Sequence, residues 1–359
     1  MINMSKVSII GTVGLPACYG GFETLAENLV DHRRNEINFE VYCSSKTYKE
    51  KKTTYKNATL HYLPFNANGI SSIIYDICSF LHAVFIRKSN TLLVLGVSGC
   101  IILPFLRLFY KRKIITNIDG LEWKRDKWNA LAKSFLKFSE KLAVRYSDVV
   151  IADNQAIADY VKREYGADSV VIAYGGDHAV SDFASCLAIE PNEGYAFSLC
   201  RIEPENNVHI TLEAFAQSGK TLKFVGNWNI SDYGRSLKLQ YTDYPNIELI
   251  DPIYDVEQLF KLRARCSYYV HGHSAGGTNP SLVEIMHFAK PVIAFDCDYN
   301  RATTEDKAIY FHNAGELIVA VEQLGVTSGN LGSVMLEIAQ RRYTWDIVAN
   351  QYLDVICSS

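Results

Sequence analysis

The residues from His271 to Glu284, HGHSAGGTNPSLVE, form the pattern with the clearest chemical meaning in this chain. An apolar run, Cys266–Val270, comes before them, and a helix is expected to begin at Pro280, since proline has no N–H to lose at a first helical position. Thr278 or Asn279 can cap this helix. Free N–H groups and the positive end of the helix dipole favour an anion here.

The same pattern predicts contacts with a sugar nucleotide. Gly276 and Gly277 have no side chains, so the backbone can approach a ligand closely. Glu284 lies just over one turn inside the helix, where its carboxylate can accept hydrogen bonds from hydroxyl groups. We therefore expect a diphosphate on the turn and a ribose on Glu284. The donor contacts predicted here are Gly276, Gly277, Thr278, Asn279, Ser281, Leu282 and Glu284.

Two charged residues follow apolar strand-like runs. Arg201 comes after Tyr195–Leu199 and can pair bidentately with a phosphate; a surface arginine is the alternative, and the position after a strand favours the phosphate. Asp119 comes after Lys113–Asn117 and can bind sugar hydroxyls or transfer a proton. An ordinary Asp-Gly turn explains Asp119 equally well.

The Gly-rich segment Gly11–Gly21 follows the first apolar run, Lys6–Ile10. Its glycines lack the spacing of a dinucleotide fingerprint, and no acid ends the next strand. Gly20 and Gly21 stand just before a predicted helix and are predicted donor contacts, since this is a good approach point for a phosphate or sugar. A tight strand-to-helix turn is an equal alternative.

Metal binding is not expected. Asp296 and Asp298 have no third ligand at useful spacing, so a solvated turn explains them better. His271 and His273 would need two more ligands for zinc, and hydrogen bonding is the better interpretation.

Strand-like and helix-like segments alternate along the whole chain, which predicts an α/β protein with parallel sheets. We expect two similar Rossmann-like domains that face a cleft, with ligands beyond the carboxyl ends of the strands. The predicted domains are residues 1–175 and 176–340. A final helix in residues 341–359 is expected to pack back on the first domain. The turn-rich stretch Gly175–Gly194 is predicted to be the linker.

Composition limits the possible partners. Residues 1–169 contain 23 Lys and Arg against 16 Asp and Glu, and residues 170–359 contain 13 against 23. The first half therefore has a net charge of +7 and is expected to meet an anionic partner. The nine cysteines are scattered, which favours a reducing compartment. No signal peptide is recognisable, and Ile70–Ile86 and Thr91–Leu106 fall short of the about 20 apolar residues of a membrane span.

The segment from Trp123 to Tyr146 predicts a basic amphipathic helix. Lys133, Lys137 and Lys141 are four residues apart, and Trp123 and Trp128 precede them. This pattern is typical of a helix on an anionic membrane surface. A helix packed on the sheet with a solvated basic face is nearly as good an explanation. We expect a cytoplasmic protein held peripherally on the inner face of the membrane, with no nucleic-acid partner.

Taken together, these motifs resemble glycosyltransferase family 4, and within it the retaining β-1,4-rhamnosyltransferases of bacterial surface polysaccharides. The resemblance covers essentially the whole chain. It is carried by Gly20–Thr24, Asn117–Arg125, Ser198–Asn207, His271–Ser281 and the tail from Tyr343 to Tyr352.

The resemblance implies a GT-B fold, with the donor on the second domain and the acceptor on the first. Glu284 matches the ribose-binding second acid of the family's paired-Glu motif, whose first acid falls at Gly276. Arg201 matches the phosphate-binding Arg, and the family's partner Lys falls at Asn206. Asp119 stands where many members carry a His. These departures agree with the rhamnosyl subgroup.

The implied reaction moves rhamnose from dTDP-rhamnose to a lipid-diphosphate-linked sugar by front-face displacement, without a cofactor or metal. Arg201 and the amides near Asn279–Leu282 would stabilise the leaving diphosphate, with Asp119 as the other candidate catalytic residue. Two alternatives remain open: another sugar-nucleotide enzyme on this fold, such as an epimerase, and a catalytically silent sugar-binding subunit.

Overall fold

A computed structural model of the chain describes residues 5–18, 20–32, 36–118, 120–124, 129–187, 190–327 and 330–358. The chain divides into two compact units. The first comprises Met1–Tyr174 and Trp345–Ser359, and the second comprises Gly175–Thr344.

The first unit is built on a mostly parallel sheet. Its strands are β1 (Lys6–Ile10), β2 (Asn38–Ser44), β3 (Thr54–Tyr55), β4 (Ala58–Leu63), β5 (Thr91–Leu95), β6 (Lys113–Asn117), β7 (Val149–Ala152) and β8 (Val170–Val171). They lie in the order β3-β4-β2-β1-β5-β6-β7-β8, and all pairs are parallel except β3 with β4. The helices are α1 (Gly21–His32), α2 (Ser71–Leu81), α3 (Leu103–Phe109), α4 (Ala130–Tyr146) and α5 (Gln155–Tyr165). A π-helical turn, His82–Arg87, extends α2.

The central strands of this sheet are buried because helices cover them. β5 is buried along its full length, and the β1 residues Val7, Ile9 and Ile10 are completely buried. Such continuous apolar runs are typical of parallel strands covered on both faces. The final helix, Trp345–Cys357, belongs to this unit and contacts α1.

The second unit has a fully parallel sheet. Its strands are β9 (Ala196–Leu199), β10 (Leu222–Val225), β11 (Ile247–Ile250), β12 (Tyr268–His271), β13 (Val292–Phe295) and β14 (Ile309–Phe311), in the order β11-β10-β9-β12-β13-β14. The helices are α6 (His178–Ser181), α7 (Ala184–Leu187), α8 (Val208–Ser218), α9 (Asp232–Tyr241), α10 (Val256–Arg265), α11 (Pro280–Met286), α12 (Asp298–Thr304), α13 (Ala314–Thr327) and α14 (Leu331–Arg342).

The turn-rich stretch Gly175–Gly194 lies within the second unit, where the sequence predicts a linker. It contains the short helices α6 and α7, and α6 contacts both α10 and α11. Helices of four residues show no apolar periodicity, so the turn residues dominate the sequence pattern.

Within the described part of the chain, no helix is both long and apolar enough to cross a membrane.

Candidate functional site

The strand order of the second sheet reverses between β9 and β12. These strands are neighbours, with Ala196 beside Tyr268, and β10 and β13 lie on their outer sides. Ligands of open parallel sheets bind beyond the carboxyl ends of the strands at such a reversal. The loops that follow β9 and β12 carry Arg201 and the segment Gly272–Asn279. The topology therefore brings the two main predicted motifs to one place.

Hydrogen bonds join these two loops directly. The Ser274 amide and hydroxyl both donate to the Glu205 carbonyl, at 3.0 and 2.8 Å, and Asn207 Nδ2 donates to the Gly272 carbonyl at 2.9 Å. A side chain at Gly272 would collide with the Asn206 carbonyl oxygen, so only glycine allows this close approach. The two loops form a single surface.

Arg201 is the exposed cation of this surface. Among the described residues, none forms a hydrogen bond or an ion pair with its guanidinium group. Its backbone is nevertheless held in place, because the Arg201 carbonyl accepts a bond of 2.6 Å from Asn206 Nδ2. The five N–H donors of the Arg201 guanidinium group are therefore available to an anion, on a backbone that is held in place.

Asn206, which stands where the resemblance places a lysine, is buried and has two partners. Its Nδ2 donates to Arg201, so its Oδ1 accepts from Nδ1–H of His273. This bond assigns the Nδ1 proton of His273. His273 thus forms a hydrogen bond, as predicted, and this bond joins the loop after β12 to the loop after β9.

His271 differs from His273 because it is fully enclosed. Burial, with a smaller contribution from His273, lowers the pKa of His271 well below its usual range. The imidazole is therefore neutral near pH 7. It cannot provide a positive charge to a phosphate.

The helix α11 begins as the sequence predicts. Pro280 occupies the first turn, and Asn279 Oδ1 caps the helix by accepting from the Ser281 amide at 3.0 Å and the Ser281 hydroxyl at 2.7 Å. The Leu282 amide donates to the Asn279 carbonyl at 3.1 Å. The amides of Ser281 and Leu282 are therefore occupied within the cap. An anion would instead meet the preceding loop, where Gly276 has a φ of +111°.

Glu284 forms an ion pair with Arg263, which is only 6% exposed, and also contacts His178, whose Nε2 lies 3.3 Å from Oε1. Burial raises the pKa of the Glu284 carboxyl. The charge of Arg263 and the hydrogen bond and charge of His178 outweigh burial, so the pKa lies below its usual range. Glu284 is thus ionised at neutral pH.

A cavity of about 160 Å³ opens beside Glu284. It is lined by His178, Ala179, Ile253, Tyr254, Asp255, Val256, Leu259, Arg263 and Glu284. Pockets for whole drug-sized ligands measure roughly 300–1,000 Å³, so this one has room for a ribose or a planar base. The Tyr254 ring is 80% exposed and can stack on a base at the rim.

Sequence reasoning missed Arg263 and His178. A signal for Arg263 was present, because it lies three residues after Phe260 and one before Ala264, on the buried side of α10. A charged residue on such a face needs a charged partner. His178 gave no signal, since it lies in the stretch interpreted as a linker.

A larger cavity of about 320 Å³ lies between the edge strand β14 and α13. No Lys, Arg or His lines it, and its one charged residue is Glu316. Such a lining does not suit a diphosphate, so we assign the site to the switch-point loops.

In the first unit the loop after β1 is organised by two acids of α1. Glu23 Oε1 accepts from the Val13 amide and Glu27 Oε2 from the Ala17 amide, both at 2.7 Å. The Glu23 carboxylate also lies beside Gly20, which has a φ of +113°. A carboxylate repels phosphate and accepts from hydroxyls, so a sugar suits Gly20 and Gly21 better than a diphosphate.

Asp119 lies outside the described residues. Asn117, two residues earlier, is buried at the end of β6, and its Nδ2 donates to the Tyr352 hydroxyl at 2.8 Å. The final helix thus holds the end of β6, and Asp119 comes two residues after that end in the sequence.

The lysines of α4, in the predicted basic helix, differ in their exposure to solvent. Lys133 and Lys137 are half-buried and Lys141 is exposed. Lys137 pairs with Glu164 at 2.9 Å and lies over the half-buried Trp123 ring, 4.8 Å from its centroid. Packing inside the unit therefore uses part of the basic face. Trp128 lies outside the described residues.

Comparison with known proteins extends these observations. Residues 4–177 match a family described as a domain of unknown function, DUF1972. No curated protein matches the chain. Among solved structures, the sucrose-phosphate synthase from Thermosynechococcus elongatus superimposes with a TM-score of 0.80 at 14% identity, over 98% of each chain. The chain has the GT-B fold.

Two further structures of this fold are similar over 99% of this chain and 100% of theirs. Anabaena HepE, in complex with UDP, has a TM-score of 0.74 at 16% identity. A glycosyltransferase from Rickettsia africae has a TM-score of 0.74 at 11% identity. At these identities the similarity establishes the architecture, and the activity has to be argued from the site.

Proposed function

We propose that this protein is a retaining glycosyltransferase that moves rhamnose from dTDP-rhamnose to a lipid-diphosphate-linked sugar. The observation that carries the proposal is the joining of the Arg201 loop and the Gly272–Asn279 loop at the switch point of the second sheet. An exposed guanidinium and a segment with three glycines thus share one surface, and Glu284 lies in the helix α11 that follows this segment.

The donor would be divided between two parts of the second unit. Its diphosphate would lie on Arg201 and the glycine loop, and its nucleoside would enter the cavity beside Glu284. The remaining acceptor capacity of the Glu284 carboxylate suits ribose hydroxyls, since an ionised carboxylate has about four lone-pair sites. UDP in the complex with HepE supports a nucleotide ligand for this fold.

In the proposed reaction an acceptor hydroxyl attacks the anomeric carbon of the donor. The bond from that carbon to the diphosphate oxygen breaks on the same face, and the hydroxyl proton passes to the leaving diphosphate. Arg201 would stabilise the negative charge that develops on the diphosphate. The acceptor would be bound by the first unit, where the Glu23 carboxylate and the Gly20–Gly21 turn suit hydroxyl groups.

The donor preference rests on the site's reduced polarity. Gly276 and Asn206 replace an acid and a lysine of the wider family, and a 6-deoxy sugar offers one hydroxyl fewer. Unpaired buried polar groups cost free energy, so pocket and sugar should match. We further propose that the protein acts peripherally at the cytoplasmic face of the membrane that holds its acceptor.

The purified chain, incubated with dTDP-rhamnose and a synthetic lipid-diphosphate sugar, should release dTDP and form a rhamnosylated lipid. Release of nucleotide without acceptor would indicate a hydrolase, and conversion of the donor to an isomeric nucleotide sugar would indicate an epimerase. Nucleotide binding without turnover would indicate a silent sugar-binding subunit.

A further inference from the structure

Five exposed apolar side chains form a patch on the first unit. They belong to the π-helical end of α2 and to α3, and their exposed fractions are 47% for Phe85, 66% for Ile86, 51% for Phe105, 68% for Leu108 and 60% for Phe109. The Phe109 ring centroid lies 5.9 Å from that of Phe85 and 5.2 Å from that of Phe105. The two segments therefore share one continuous surface, which we call the apolar patch.

The helix α3 is apolar on both sides. Leu103 and Leu106 are completely buried inside the unit, while Phe105, Leu108 and Phe109 face outward. A surface helix normally presents polar residues to water, and a helix that is apolar all round is normally buried. The outer side of α3 is therefore expected to be covered by something apolar.

Cations border the apolar patch. Lys88, Lys111 and Arg112 are exposed, and Arg112 Nη1 donates to the Lys88 carbonyl at 2.9 Å, which ties the end of α3 to the end of the π-helical turn. The sequence contains no Asp or Glu between Asp76 and Asp119. The stretch of chain that forms the patch and its border therefore has basic residues and no acidic ones.

We propose that the apolar patch with Lys88, Lys111 and Arg112 is the surface that docks this protein on an anionic lipid bilayer. Aromatic and leucine side chains with a basic border match the interface between lipid headgroups and acyl chains. Basic residues are attracted to anionic headgroups, and salt screens this attraction. The inference deepens the proposed function, since a lipid-linked acceptor requires such contact, and it places the contact on α3 rather than on the lysines of α4.

The test measures sedimentation of the purified full chain with vesicles, without nucleotide or acceptor. Wild type should bind vesicles of phosphatidylglycerol and phosphatidylcholine far better than phosphatidylcholine alone. The Leu108→Glu/Phe109→Glu variant should bind at least tenfold more weakly, and Lys88→Glu/Lys111→Glu should lose the preference for anionic lipid. The matched control is Ile230→Glu/Leu239→Glu, two side chains that are 75% and 81% exposed on the second unit; it should bind like wild type.

Undiminished binding of Leu108→Glu/Phe109→Glu would overturn the proposal. So would equal weakening by the control, or equal binding to both vesicle types. The alternative is that a second copy of the chain covers the patch. Light scattering should then show a dimer for wild type and a monomer for Leu108→Glu/Phe109→Glu, while both bind vesicles equally. This result would also overturn the proposal.

Transfer to a water-soluble acceptor separates this surface from the proposed function. It should persist in Leu108→Glu/Phe109→Glu, because no patch residue belongs to the donor site. Intact sedimentation without any transfer by wild type would instead contradict the proposed function and leave the docking surface standing.

Discussion

The carboxylate of Glu284 and the guanidinium of Arg263 form an ion pair inside the second unit, where Arg263 is 6% exposed. Two elements contribute to it, since α10 supplies Arg263 and α11 supplies Glu284. The pair keeps the carboxylate ionised and fixes its position at the wall of the cavity. Glu284 therefore serves the packing of the unit as well as the proposed binding of ribose.

Replacing Glu284 by Gln should reduce both stability and nucleotide affinity. The variant leaves the Arg263 charge buried without a counter-charge, which costs about 3–5 kcal/mol in comparable cases. Thermal melts of the empty protein should show a lower melting temperature. Calorimetric titration with dTDP, well below that temperature, should show weaker binding.

Arg263→Gln is the matched control for this prediction. It breaks the same ion pair but keeps the carboxylate, so it should lower the melting temperature while retaining more of the dTDP affinity than Glu284→Gln. Equal loss of affinity in both variants would assign Glu284 a purely structural role.

Replacing Arg201 by Ala should abolish most of the activity without unfolding the protein. The side chain is exposed and pairs with none of the described residues, so its loss should leave the melting temperature unchanged. Turnover should fall by at least about tenfold, because charged hydrogen bonds contribute about 1.5–3 kcal/mol. Steady-state kinetics of Arg201→Ala and of the exposed control Arg235→Ala provide the check, and near wild-type turnover in Arg201→Ala would refute its role.

Regular elements of the fold could be predicted closely from the sequence. β1 and β6 have the predicted bounds, because each is a short segment with Val or Ile residues in its interior. The hairpin of β3 and β4 was not predicted, and neither was β14. β3 and β14 are short edge strands that are only partly buried, so their sequences lack a strong pattern.

The candidate site could be predicted only where function leaves a local motif. Arg201 and Asn279 lie where the strand-to-helix pattern places them. Arg263 and His178, in contrast, meet Glu284 from segments 21 and 106 residues away in the chain, and only the tertiary structure brings them there. For the same reason the sequence could not show that Lys137 packs against Trp123.

Asp76 should make the first unit's stability depend on pH. Burial raises the pKa of its carboxyl to about 7, against the opposing hydrogen bonds from the Ser98 hydroxyl and the Gly99 amide. The folded protein therefore binds more protons than the unfolded chain between the ordinary pKa of 3.8 and about 7. Stability consequently falls as pH rises through this window.

Asp76→Asn removes the ionisation and keeps an acceptor for Ser98. Relative to wild type it should be more stable at pH 8, by at least about 1.4 kcal/mol in the free energy of unfolding. The advantage should shrink towards pH 4. Urea unfolding at both pH values measures it, and a difference independent of pH would contradict the assigned protonation.

The central claim is that this GT-B protein transfers rhamnose with retention, and a donor comparison tests it most directly. The purified protein should be incubated with a lipid-diphosphate sugar and dTDP-rhamnose, UDP-glucose or GDP-mannose in parallel, with and without EDTA, and the product's anomeric configuration determined by NMR. We predict the fastest transfer from dTDP-rhamnose, unchanged by EDTA, with the β configuration kept in the product. An α-rhamnoside would contradict the retaining mechanism, and transfer only from a UDP- or GDP-sugar would contradict the donor.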